Sequence, residues 1–476
     1  MTEINPNFAE QRRQLARDFH RPVYHFIAPS SWMNDPNGVI HWGGNYHLFY
    51  QYHPESPRFG LAYWGHAVSE DAIHWRDLPV ALSPTPGGPD ATGCWSGCVV
   101  DNDGLPTAVY TGVGPQGYGQ QSQCVATSRD GLLTWEKYSG NPILSEIPAI
   151  ANQTTDLRDP MIWREGDTWY MLLASRIKDE GGSVFLYRSP DLLEWEFLHP
   201  LLTGNYAKDG CVWECPSFFP LDDKWVLIVA GKGRRIPFTV FYFIGDYVDQ
   251  QFKPETSGIL DHAYFYAPFT MQDARGRRLL WGWLREGRSE EAHVAAGWAG
   301  CQSIPRELSL RNGQLHMIPL PELKRLRGAS LVMRDIRLTG GDHNLEIQGN
   351  ALDVEAEINV DGKVGLALAC AADGGEETRV SYDADAELLS VNRERSSRGQ
   401  DHETFAHEAT HKLTPGEGLQ LRVLLDGSVL EIIANGRTSI CSRIYPSRAD
   451  SQGLRLFGQG QVSSLSVWQM RSIWPH

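Results

Sequence analysis

Short runs of apolar and β-branched residues, each led in by a polar turn, recur along the first two thirds of the chain. They are Tyr46-His-Leu-Phe-Tyr50, Pro106-Thr-Ala-Val-Tyr-Thr111, Thr168-Trp-Tyr-Met-Leu-Leu173, Lys224-Trp-Val-Leu-Ile-Val229 and Arg278-Leu-Leu-Trp-Gly-Trp283. Runs this short, bounded by Gly, Asp and Asn, predict strands. A second pattern accompanies the first: Ser69-Glu-Asp71-Ala-Ile-His-Trp75, Ser128-Arg-Asp130-Gly-Leu-Leu-Thr-Trp135 and Ser189-Pro-Asp191-Leu-Leu-Glu-Trp195. Its copies recur at about 60 residues, a spacing that a single large sandwich does not explain. Five similar strand units at a regular period predict an all-β, five-bladed propeller.

In a propeller the innermost strands line a central channel, so blade starts from distant parts of the chain converge. Those starts are Asp35-Pro36, Cys94-Trp95-Ser96-Gly97, Asp159-Pro160, Glu214-Cys215-Pro216 and Tyr266-Ala267-Pro268. Three of them present an acid, each followed by proline directly or after one residue. The stretch Trp32-Met-Asn-Asp-Pro-Asn-Gly38 stands out, because Pro36 restricts Asp35 and Asn37-Gly38 tolerate left-handed geometry. It reads as a stiff polar turn that aims the Asp35 carboxylate.

The pattern changes after Pro305-Arg-Glu-Leu308. A connector, Leu320–Arg327, predicts one or two helical turns. Beyond it Leu352-Asp-Val-Glu-Ala-Glu-Ile358, Leu419-Gln-Leu-Arg-Val-Leu-Leu425 and Val429-Leu-Glu-Ile-Ile433 alternate polar with apolar positions, as half-buried antiparallel strands do. Turns such as Asp426-Gly427 and Asn435-Gly436 join them, and a β-sandwich is the expected result. The expected division is an N-terminal extension over 1–25, a propeller over 26–320, a linker over 321–332 and a sandwich over 333–476. Within the extension, Phe8–Phe19 reads as a short helix. No segment has the apolar core of a signal peptide, so the cytoplasm is the expected location, with a mature secreted form as the alternative.

Composition narrows the chemistry. The net charge of −15 disfavours nucleic acid, and no run is long enough to predict a membrane span. Sixteen Trp suit a neutral sugar, whose flat apolar faces stack on indoles while carboxylates accept its hydroxyls. A small neutral sugar is therefore the expected partner, with homo-oligomers left open. Eight Cys in 476 residues are not a disulfide framework. Cys94/Cys98 and Cys211/Cys215 lack flanking His ligands and read as small buried residues, so no metal is expected.

Two carboxylates flanking a glycosidic bond suffice for hydrolysis. Glu214, beside Trp213 and Cys215, reads as the general acid, its pKa raised by an apolar setting and like charges. Asp35 reads as the nucleophile. Asp159, next to Arg158, is expected to stay ionised and to stabilise positive charge.

Trp32–Gly38, Arg158-Asp159-Pro160 and Trp213-Glu-Cys-Pro216 together resemble the three signature motifs of glycoside hydrolase family 32, which includes invertases and fructan hydrolases. The resemblance extends through Gln51-Tyr-His-Pro54, Trp64-Gly-His-Ala-Val-Ser69, Trp95-Ser-Gly97, Trp298-Ala-Gly300, Pro305-Arg-Glu-Leu308 and Asp426–Asn435. It implies a propeller followed by a sandwich, and a β-fructofuranosidase that retains configuration on sucrose and short fructo-oligosaccharides. Alternatives on the same residues are a fructosyltransferase, an inulin or levan hydrolase, or a non-catalytic carbohydrate-binding protein. The resemblance makes Asp35 the nucleophile, Glu214 the acid/base and Asp159 the transition-state stabiliser, with no metal or organic cofactor. Asn34, Gln51, Trp95, Ser96 and Arg158 would line the fructose pocket, with Phe59, Tyr266 and Trp298 as further sugar-binding residues. Phe59-Gly60 stands where the family often has Trp-Gly. The loop Asp261-His-Ala-Tyr-Phe-Tyr-Ala267 is shorter than the family's. Both departures bear on the leaving-group side.

Overall fold

The structure, a computed structural model, describes residues 7–151, 154–233 and 237–474. The first six positions of the expected extension lie outside the described residues. Five antiparallel sheets are arranged as blades, each beginning at an innermost strand: Ser31–Trp42, Gly93–Asn102, Arg158–Glu165, Val212–Leu221 and Phe265–Gln272. Each of these touches the next around the ring, and the fifth touches the first. The five apolar runs of the sequence are the second strands: Asn45–His53, Leu105–Val113, Thr168–Ile177, Lys224–Lys232 and Arg278–Leu284. Being second from the axis, they are covered by a neighbouring blade on each face, which is why they read as continuous apolar runs rather than alternating ones.

The Ser-x-Asp pattern makes the same turn in three blades, between third and fourth strands. Asp71 accepts from the backbone of Ile73 and His74, Asp130 from Leu133 and Thr134, and Asp191 from Leu193 and Glu194. Ala72, Leu132 and Leu192 take positive φ there, at 61°, 72° and 70°. A side-chain carboxylate that caps its own loop substitutes for the missing ladder partners.

Blade five carries an insertion that the sequence patterning did not predict. A helix, Glu290–Ala296, is capped by Ser289 and ends at Gly297. The chain then lays Trp298–Ala299 parallel to Ser31 and Trp32, joining the last blade to the first.

The helix at the start spans Phe8–Leu15 and stops short of the expected Phe19. Past Leu15, Asp18 is drawn away to the Trp298 indole N–H, at 2.7 Å. After a helical turn at Pro321–Leu326, the first long strand of the tail starts at Arg327. The tail's strands form one continuous ladder folded over its own core. Ala351–Cys370 pairs with Leu419–Asp426 through residue 358 and with Thr378–Asp383 from residue 363, so one strand serves both layers of a β-sandwich.

The two β structures share a buried polar seam. Asp426 accepts the backbone N–H groups of Val23, Tyr24 and His25 at 2.7, 2.8 and 2.7 Å, and His25 Nδ1 lies 2.8 Å from it. Glu431 faces His25 Nε2 at 3.3 Å and takes Arg306 at 2.8 Å. Burial alone would lower the His25 pKa; the two carboxylates outweigh it and raise it. Removing one member strands the others, which for a buried charged pair costs about 3–5 kcal/mol. Asp426→Ala is therefore expected to lower the denaturant midpoint of the whole chain. An unchanged midpoint would show that the seam is dispensable.

Candidate active site

Every innermost strand breaks its ladder near its first residues. Register shifts fall at Met33/Pro36, Cys94/Gly97, Glu214/Ser217 and Tyr266/Phe269, and Arg158 pairs with Ala174 although Met161 pairs with Leu172. Four breaks contain a proline: Pro36, Pro160, Pro216 and Pro268. Proline has no N–H to give the ladder, and a bulge re-aims the side chains around it. Three residues just before these prolines sit at positive φ: Asp159 at 57°, Cys215 at 49° and Ala267 at 47°. Backbone of this kind costs about 1–3 kcal/mol per residue and persists only where surroundings over-determine it.

The stretch Trp32–Gly38 is not the turn that its composition predicts. It lies inside the strand Ser31–Trp42 and pairs with Asn45–His53 on both sides of two irregularities, at Met33/Pro36 and Asn37/Ile40. The turn-formers are used to bulge a strand instead. Gly38, at φ +49°, lies so close to the next blade that a Cβ would sit 2.6 Å from Val99 Cγ2.

The bulges gather the three acids. Asp35 accepts from Ser96 Oγ at 2.7 Å and from Asn34 Nδ2 at 3.1 Å. The Cys215 thiol bridges two of the acids, 3.5 Å from Asp35 Oδ2 and 3.6 Å from Asp159 Oδ2. Cys215 is thus part of the acid cluster, not merely a small buried residue. The Cys215 backbone N–H also donates to Asp159 at 2.9 Å. Glu214 accepts Arg158 and Lys232 on Oε1, both at 2.7 Å, and the Tyr266 hydroxyl on Oε2 at 2.6 Å.

The protonation order departs from the one expected. Burial pushes Glu214 up, but Arg158 and Lys232 outweigh it and hold it down to about 2. Burial raises Asp159 to about 7; Arg158 opposes this, and the charges of Glu214 and Asp35 reinforce it. Burial also raises Asp35, against its bonds from Ser96 and Asn34. The reason is directional. Arg158 precedes Asp159 in sequence, yet its nearest approach to that carboxylate is 3.9 Å, while it meets Asp156 at 2.6 Å and Glu214 at 2.7 Å.

Among the other expected sugar-binding residues, Asn34, Ser96, Arg158 and Tyr266 each bond an acid directly. Gln51 is buried in the wall and donates to Cys94 O at 3.0 Å. Phe59 is exposed and packs edge-on to Trp32 at 5.9 Å. Trp95 packs edge-on against Tyr118 at 4.9 Å. Trp298 is not brought to the site: it is wholly buried, stacks under Arg288 and serves as the blade-closing strand. Three residues that carry no motif do reach it. Lys232 bonds Glu214, exposed Tyr118 lies over Arg158, and exposed Phe238 packs edge-on to Tyr266 at 4.9 Å. Lys232 closes the second strand of blade four, and its position directly across the ladder from Val212 was the available signal.

Comparison with known proteins follows the same outline. Residues 25–319 match the N-terminal domain of glycosyl hydrolases family 32, and residues 322–469 match the family's C-terminal domain. A sucrose-6-phosphate hydrolase of Zymomonas mobilis is 34% identical, over 97% of this chain and 94% of its own. A raffinose invertase of Escherichia coli is 32% identical, over 94% of this chain and 95% of its own. Among solved structures, fructan 1-exohydrolase IIa from Cichorium intybus superposes with a TM-score of 0.87 at 28% identity, covering 95% of this chain and 98% of that one. A Bombyx mori β-fructofuranosidase mutant in complex with sucrose superposes with a TM-score of 0.83 at 29% identity, covering 99% and 100%. The chain belongs to glycosyl hydrolases family 32.

The raised Asp159 has a consequence for stability. Its ordinary value is 3.8 and its folded value about 7, so between these the folded chain binds more protons than the unfolded one. Stability contributed by this group is then lost as pH rises through that window. Asp159→Asn removes the titration and keeps an acceptor for the Cys215 N–H. Its denaturant midpoint is expected to gain on the parent's progressively from about pH 4 to about pH 7 and to hold that gain above. A difference independent of pH would contradict the assignment.

Proposed function

We propose that this family 32 member is a β-fructofuranosidase, hydrolysing sucrose and short fructo-oligosaccharides with retention through a fructosyl-enzyme. The observation that carries the reading is the gathering of Asp35, Asp159 and Glu214 about Cys215 at one end of the propeller axis. The sugars named for the relatives support a terminal fructoside on a small leaving group.

In this reading Asp35 attacks the anomeric carbon of fructose while the bond to the leaving oxygen breaks. Ser96 and Cys215 both point at Oδ2, which leaves Oδ1, with its single Asn34 contact, as the freer oxygen. Glu214 gives its proton to the leaving oxygen, then takes one from the water that releases fructose. Asp159 accepts fructose hydroxyls and stabilises the oxocarbenium-like state. Hydroxyls donating to Asp159 favour its ionised form, and the new charge then raises Glu214 by like-charge repulsion. Substrate binding would in this way load the proton onto the residue that must donate it. Phe59, Tyr118 and Phe238 offer exposed flat faces to the leaving sugar.

Asp35→Ala is expected to abolish fructose release from sucrose, and Glu214→Ala to lower kcat by about 10²–10⁴. Appreciable turnover in the Asp35 variant would overturn the assignment. Lys232→Met removes a cation from Glu214, so Glu214 should stay protonated to higher pH. The alkaline limb of the kcat profile, which reports the substrate-bound site, is expected to move up; a profile that stays put would show that Lys232 does not govern the acid. The product ratio at high sucrose separates hydrolysis from fructosyl transfer, which uses the same acids.

A further inference from the structure

The innermost strands that carry the acids at one end continue to the far end of the propeller axis. There they line an open cavity of about 410 Å³. Trp42, Trp163, Trp225, Phe218 and Phe269 contribute to its wall, and the Asp101 carboxylate lines it on the blade-two side. Volume and lining are those of a small-molecule pocket rather than of a site for a bare ion.

Two cations reach this wall, and they differ. Arg164 is paired with Asp103 at 2.8 Å. Arg278 reaches across from the second strand of blade five to lie over the Phe219 ring at 4.6 Å, and has no carboxylate partner among the described residues. Its Nε is enclosed without an acceptor, and so is the Thr270 hydroxyl on the same wall. Burial alone lowers the Arg278 pKa to about 10, with no neighbouring charge opposing it. Guanidinium remains charged at that value, and no acceptor among the described residues takes its N–H groups. The ring of Phe219 covers one face of the guanidinium but cannot accept its N–H groups. A planar oxyanion head matches that fork.

We infer that the cavity at the far end of the axis binds a small flat organic anion, with its carboxylate on Arg278 and its body against the aromatic wall. Benzoate is the probe. Titrated calorimetrically into the full chain, with fructose saturating the acid-lined end, benzoate is expected to bind at least tenfold more tightly than benzyl alcohol. Arg278→Met should weaken benzoate at least tenfold while sucrose turnover stays within twofold of the parent. Absence of benzoate binding to the parent, or equal binding to the variant, overturns the inference. Should the variant fail to fold, crystals of the parent soaked in 4-bromobenzoate give the answer. A bromine anomalous peak in the cavity with the carboxylate on Arg278 supports the site, and a peak elsewhere or none refutes it.

Discussion

The rest of this molecule depends on one backbone device, a break in the ladder at the start of each innermost strand. A regular strand would pair its first residues fully and send them alternately into one blade interface and the other. The break frees two or three residues per blade from that alternation and lets their side chains turn to the axis. Proline supplies it in four blades, because a residue without an N–H cannot complete the pairing. Positive φ at Asp159, Cys215 and Ala267 is the strain that results. It is tolerated because the strands are held beyond the bulge by a full second strand and by the neighbouring blades.

The same device explains the charge arrangement. Three acids drawn to one axis repel one another, and two cations offset only part of that repulsion. Both cations fall on Glu214: Arg158 bonds it at 2.7 Å while coming no nearer than 3.9 Å to Asp159, and Lys232 approaches from the adjoining strand. Burial thus raises Asp159 to about 7, while the two cations hold Glu214 down to about 2. In the proposed mechanism a neutral polyhydroxy ligand would reverse that order by donating to Asp159, and a ligand lacking those hydroxyls would leave Glu214 ionised.

Much of this was legible in the sequence, and the remainder was not, for identifiable reasons. The second strands were readable because burial on both faces makes them continuous apolar runs. The Ser-x-Asp turns were readable because a capping carboxylate must stand at a fixed offset. Asp35, Asp159 and Glu214 could be picked out because each stands by a proline at a blade start. Trp32–Gly38 was misread as a turn, since a bulge and a turn draw on the same residues and differ only in whether the partner strand continues. Trp298 was misplaced because its motif marks a backbone role, the strand that joins blade five to blade one. Lys232, Tyr118 and Phe238 have no local signature at all. Their place at the site follows from which strand neighbours which, a tertiary fact. The helix Glu290–Ala296 does have a legible Ser289 cap, but its seven residues give too little periodicity to stand out from a loop.

The two ends of the axis differ for the same reason that the chemistry sits where it does. At the bulged end the backbone is irregular and polar side chains point inward, with Arg158 and Lys232 both on Glu214. At the far end consecutive residues of the innermost strands line the wall, with Trp42, Asp101, Arg164 and Phe269 among them. Arg278 has no carboxylate partner among the described residues, whereas Arg164 on the same wall is paired with Asp103. A propeller built from one repeated strand thus has a reactive mouth where its regularity fails. At its other end it has an aromatic-lined vestibule where Arg278 has no carboxylate partner among the described residues.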